Sequence, residues 1–124
     1  MEELVVRVED RPGVLADVGE LLGGAGINIE TMCASTFGQH GIVHLVVDDG
    51  EGAAQALSAG GFPVFGARQV LKVTLDDRPG ELGRYCRKLA AAGVSIAAAY
   101  VTRREGGETE LVVAVDDVTA AEHA

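Results

Sequence analysis

Two short stretches gather the residue types that can grip a charged small molecule. They are Asp10-Arg11-Pro12-Gly13-Val14-Leu15 and Asp77-Arg78-Pro79-Gly80-Glu81-Leu82. In each, a strand pattern runs through a Pro-Gly turn into a helical pattern. The start of a helix presents backbone N–H groups with no intrahelical acceptor and the positive end of the dipole, which suits a carboxylate. Gly13 has no side chain to hold a ligand away from the backbone. Asp10 can accept hydrogen bonds from an ammonium group, and Asn28, at the next strand start, can both donate and accept. One zwitterion satisfies all three. The competing account is a plain strand-to-helix turn with Asp10 as the helix cap. In the second stretch Glu81 stands where the first has Val14, and Ser95 where the first has Asn28. A glutamate at the helix start repels a carboxylate and serine reaches less far, so the first turn is the preferred one.

Other chemistries find less support. Cys33, His40 and His44 are the cluster with metal-ligand types, but a fourth ligand and the usual zinc spacing are missing. Strand parity places Cys33 on the face of Ile27 and Ile29 as a buried thiol. His44 points away from Val43 and Leu45, as an exposed sheet-face residue. There is no nucleophile elbow and no phosphate loop, since Gly23-Gly24-Ala25-Gly26 closes a helix rather than opening one. Asp48-Asp49 and Asp116-Asp117 stand just before helical patterns, where aspartate is a natural cap. Neither catalytic residues nor a cofactor or metal site is expected, so the chain reads as a non-enzyme.

Composition narrows the partners. The 124 residues carry a net charge of −9, which counts against nucleic acid and against anionic lipid. Five aromatic residues, two Tyr and three Phe, are too few and too scattered for a base-stacking sheet. No apolar run approaches the roughly 20 residues that cross a bilayer. The acidic start MEELVVRVED is no signal peptide, and two cysteines make no disulfide framework. A cytoplasmic protein with reduced thiols is the expectation.

The elements that must position these residues are written twice. Arg11-Pro12-Gly13 recurs as Arg78-Pro79-Gly80, an offset of 67 (78 − 11). At that offset Leu22 matches Leu89, Gly26 matches Gly93 and Ile29 matches Ile96; by Asp116-Asp117 the offset has grown by one. In the first copy the patterns predict a strand over 4–8 and a helix opened by Pro12, carrying Val14, Leu15, Val18, Leu21 and Leu22 and ended by Gly26. Strands follow at about 27–36 and 41–48, then a helix over about 50–60 and a short last strand at Phe62–Phe65. The second copy opens with a strand at 70–75 and ends after its second helix. That leaves the first strand with an open edge.

β-α-β-β-α-β is the split βαβ, ferredoxin-like arrangement, α+β with antiparallel sheets and helices on one face. The D-R-P-G-x-L turn, the G-I-N-I restart at Gly26–Ile29 and the tandem order resemble the ACT domain, more narrowly the stand-alone tandem-ACT proteins. The resemblance covers nearly the whole chain as two domains, 1–66 and a truncated 67–124, with four long helices. It implies an amino acid or related metabolite bound across a domain boundary, between Asp10, Arg11, Pro12, Gly13, Val14 and Leu15 on one side and Asn28 and Ile29 on the other. The second-choice set is Asp77, Arg78, Pro79, Gly80, Leu82, Ser95 and Ile96. A sensor acting through conformation or assembly follows, as a homodimer or higher oligomer. The alternative is a structural or regulatory subunit that binds a partner protein and no ligand.

Overall fold

The computed structural model describes all residues 1–124 and divides into two compact units, Met1–Arg68 and Gln69–Ala124. The chain is α+β, with six strands and four helices. Unit 1 holds β1 (Glu2–Glu9), α1 (Val14–Gly24), β2 (Ile29–Phe37), β3 (His40–Val47), α2 (Gly50–Ala59) and the start of β4 (Val64–Asp76). Its strand order is β2-β3-β1-β4, the ferredoxin-like order, with β3 antiparallel to both β1 and β2.

Alternation builds the core of this unit. Leu4, Val6 and Val8 of β1 and Val43, Leu45 and Val47 of β3 face α1 and α2, which contribute Val14, Val18, Leu22, Ala53 and Leu57. Asp49 caps α2 by accepting from the Gly52 N–H at 2.9 Å, as its position before the helix predicts. Gly26 is left-handed (φ 73°) just after α1, so it closes that helix as expected.

Unit 2 consists of the rest of β4, α3 (Glu81–Ala91), β5 (Ile96–Glu105), β6 (Glu108–Val115) and α4 (Val118–Glu122), with strand order β4-β6-β5. Leu89, Val94, Leu111, Val113, Val115 and Ala121 form its core. Asp117 caps α4 through the Ala120 N–H, 2.9 Å away. α4 is only five residues long, so the chain has three long helices and not four.

Three readings change for identifiable reasons. Phe62–Phe65 and Val70–Leu75 are not separate strands: β4 runs unbroken from Val64 to Asp76, because Pro63 stands ahead of it and only Gly66 interrupts its β-forming side chains. Pro12 does not open α1. The helix begins at Val14, and left-handed Gly13 (φ 85°) is its N-cap, with no side chain capping it, so Asp10 is not the cap.

Cys33 is exposed, not buried. A bulge between Ile29 and Thr31 sets two residues of β2 against one step of β3, since Ile29 pairs with Val47 and Thr31 with Val46. Beyond the bulge every side chain changes face. Cys33 then lies opposite His44, and Ala34 takes the inward position opposite Val43. A thiol reagent added to the native protein is expected to label Cys33 at once, and Cys33→Ala to abolish that fast phase. A Cys33 that reacts only after unfolding would refute the bulged register.

His44 is not simply solvated either. Its Nδ1 lies 3.2 Å from Oε2 of Glu3, whose side chain is fully buried and whose Oε1 lies 3.6 Å from Nε of Arg68. A carboxylate taken out of water needs such partners. Alternation alone gave no sign that Glu3 would be covered.

Candidate functional site

The first turn opens onto a cavity of about 600 Å³. Its walls come from the end of β1 (Val8, Glu9), the turn (Asp10, Arg11, Gly13), the start of α1 (Val14, Leu15, Ala16) and the β2–β3 hairpin (Ala34, Ser35, Thr36, Gly41, Val43). Register explains the grouping. Val8 pairs with Gly41, Thr36 with Gly41 and Ala34 with Val43, all on the helix-side face beyond the first turn of α1. Gly41 keeps that floor low, because a Cβ there would stand 2.8 Å from Cγ2 of Val8.

The donors are backbone amides. The Val14 N–H donates to the Arg11 carbonyl (3.4 Å) and the Asp17 N–H to the Gly13 carbonyl (3.0 Å). This leaves the N–H groups of Leu15 and Ala16 as the donors of the first turn. Leu15 repeats at helical spacing yet is 44% exposed, because it stands at the cavity rather than in the core. Asp10 is exposed, with its own N–H tied to the Gln39 carbonyl at 3.2 Å. The Arg11 guanidinium is turned onto Asp17 (2.7 Å) and the Pro12 carbonyl (3.4 Å).

Of the residues singled out in the sequence, Asp10, Arg11, Gly13, Val14 and Leu15 line this cavity together, while Pro12 does not. Asn28 and Ile29 lie elsewhere. Ile29 pairs with Val47, which pairs with Glu2, whereas the turn sits at the Glu9–His40–Phe37 end. Those ends are separated by the length of β1, roughly 23 Å at about 3.3 Å per residue. Unit 1 alone therefore cannot close both sets on one ligand. The hairpin residues Ala34 to Thr36, Gly41 and Val43 were not singled out in the sequence; only the bulge turns Ala34 and Thr36 inward.

The second turn has the same backbone and different chemistry. Gly80 is again a left-handed N-cap (φ 90°), and Leu82 is 53% exposed. Here Glu81 holds the helix start. Arg78 Nε lies 2.9 Å from Glu81 Oε1, Arg84 binds the same oxygen, and Arg78 also reaches Asp76 at 3.5 Å. The Arg78 hydrogen bond holds the Glu81 carboxyl below the ordinary carboxylate range, and the same contact raises Arg78. A carboxylate of the protein's own already occupies this turn. Asp77 lies 3.7 Å from Arg104, and the Ser95 N–H donates to Asp116 at 2.9 Å. Ile96 pairs with Val115, at the end of the unit 2 strands away from the Glu105–Glu108 turn. Pro79 lies in the exposed turn.

Comparison with known proteins agrees with this fold. Residues 3–59 match the model of the ACT domain. The cavity lies within this stretch. No curated protein matches the sequence. Among solved structures, a Bacteroides thetaiotaomicron protein is similar at TM-score 0.82 and 24% identity, over 98% of this chain and 83% of that one. The ligand-free regulatory subunit of aspartate kinase from Thermus thermophilus is similar at TM-score 0.74 and 18% identity, over 98% and 88% of the two chains. The corresponding Thermus flavus subunit gives TM-score 0.66 at 18% identity, over 98% and 88%. At these identities the likeness is one of fold.

Proposed function

We propose that this chain is a non-enzymatic regulatory protein of two tandem ACT units that binds a free amino acid at the Asp10–Leu15 turn. The observation that carries the reading is the cavity of about 600 Å³ at a helix start whose first-turn acid, Asp17, is paired with Arg11 and does not line the cavity. The ligand carboxylate takes the Leu15 and Ala16 amides, its ammonium takes Asp10, and its side chain lies against Val8, Val14, Ala34 and Val43. The name of the Thermus neighbours, regulatory subunits of aspartate kinase, supports the same class of role.

The dipole contributes about 0.3–1 kcal/mol, rising toward roughly 2 when partly buried. A charged hydrogen bond to Asp10 adds roughly 1.5–3 kcal/mol. Set against the cost of capture, these terms give micromolar to millimolar affinity, in the range of free metabolites.

Asn28 and Ile29 come from a second copy in this reading. β2 is the edge strand of unit 1, with Ile29 at one end and Phe37 at the turn end. Two-fold antiparallel pairing of β2 with its counterpart sets the partner's strand start beside this cavity. Ligand binding and assembly are then coupled.

A thermal-shift screen of the twenty free amino acids tests the reading. At a hundredfold excess over Kd, one bound ligand stabilises by about 2.7 kcal/mol, a readable rise in melting temperature. A screen in which none of the twenty shifts the transition would refute the amino-acid assignment.

A further inference from the structure

The opposite face of the unit 1 sheet carries a second, separate cavity. It measures about 390 Å³ and is lined by Val5, Arg7, Phe37, His40, Ile42 and Phe65. None of the six lines the turn cavity. Val5 and Arg7 alternate with the core residues of β1, so they point away from α1 and α2. Arg7 pairs with Ile42 and Phe37 with His40 across the ladder. Val5 and Ile42 make the floor, with a phenylalanine from β2 on one flank and one from β4 on the other.

Two features are unusual for a surface at rest. Phe37 is 87% exposed and Phe65 65%, and both belong to the same cavity. Exposed aromatics gathered around one depression mark a binding surface. Moreover, Arg7 takes part in none of the chain's ion pairs, although acids outnumber Lys and Arg by 19 to 10. No acid lines the cavity.

We propose that this cavity is a second small-molecule site, for a planar aromatic anion. The ring lies over Val5 and Ile42 between Phe37 and Phe65, whose faces and edges favour a flat π-system. The carboxylate, sulfonate or phosphate of the ligand is held by the Arg7 guanidinium, which matches such groups bidentately, with the His40 ring beside it as a further donor. The net charge of −9 excludes a polynucleotide on this face. A second copy of the chain fits less well, because a two-fold pairing centred here sets Arg7 against Arg7 with no lining acid between them.

The test uses the full chain with indole-3-acetate, neutral indole and cationic tryptamine. The protein contains no Trp, so probe fluorescence anisotropy is read without background. Indole-3-acetate is expected to bind most tightly and tryptamine most weakly. Arg7→Gln should weaken indole-3-acetate about tenfold and leave indole unchanged, as loss of one charge-assisted contact requires. Phe37→Ala, at a side chain that supports no core, should weaken both. Equal binding of the three probes overturns the proposal, as does binding that survives both substitutions. Ala34→Phe separates the two cavities: retained indole-3-acetate affinity supports the proposal, and lost affinity places the probe in the turn cavity. If Phe37→Ala instead splits an oligomer and indole-3-acetate never binds, the face is a subunit contact and the proposal falls.

Discussion

Leu22→Ala is expected to destabilise unit 1 by about 2–5 kcal/mol, the cost of the lost transfer energy and of the cavity left behind. Leu22 is fully buried, in one core cluster with Leu4, Val18, Leu45 and Leu57, so its neighbours have little freedom to collapse inward. Against a total stability of about 5–15 kcal/mol this is a large share. Urea unfolding followed by circular dichroism should show a lower midpoint at an unchanged slope. Leu15→Ala, about two turns away on the same helix, is the control. Leu15 stands at the cavity and is 44% exposed, and the loss there should stay below about 1 kcal/mol. Equal losses at both positions would contradict the assignment of Leu15 to a site and Leu22 to the core.

Gly13→Val is the second large effect, and it acts twice. The space around Gly13 is open, for an added Cβ would meet only the Arg11 guanidinium, at 4.0 Å. The obstacle to folding is the backbone, since φ is 85° and a β-branched residue there costs about 1–3 kcal/mol. The added methyl groups also stand where a ligand carboxylate must approach the Leu15 and Ala16 amides. The variant should therefore melt earlier and lose the stabilisation given by the ligand. Gly23→Ala separates helix chemistry from turn chemistry. Its Cβ meets nothing within 4 Å and its φ is not left-handed, so the change should stabilise by roughly 0.5–1 kcal/mol and leave binding intact. A Gly13→Val protein as stable as the parent would mean that the turn is not left-handed.

The parts of this molecule legible in the sequence are those set by local rules. Pro-Gly turns, a left-handed glycine after α1, aspartates before α2 and α4, and the 3.6- and 2-residue periods each act over a few residues, and they placed the elements of unit 1. The turn side of the candidate cavity was legible for the same reason, because Asp10, Arg11, Gly13, Val14 and Leu15 are consecutive or nearly so. What stayed hidden depends on register. One extra residue between Ile29 and Thr31 turns Cys33 outward and Ala34 and Thr36 inward, and no residue type in that stretch announces a bulge. The covered Glu3 and the gathering of Phe37 with Phe65 likewise depend on which strands become neighbours. The continuity of β4 was masked because Pro63 and Gly66 read as punctuation, although neither breaks the ladder from Val64 onward.

The central claim is that a free amino acid is held in the cavity between the Asp10–Leu15 turn and the β2–β3 hairpin. Titration calorimetry of the amino acid giving the largest thermal shift, on the parent chain and on Ala34→Phe, tests it most directly. Ala34 lies in an exposed strand with its side chain at the cavity, so phenylalanine fills the space without disturbing the turn or the core. The account predicts at least about a thirtyfold loss of affinity, near 2 kcal/mol, with an unchanged melting temperature in the absence of ligand. An amino acid that binds Ala34→Phe as tightly as the parent would contradict it.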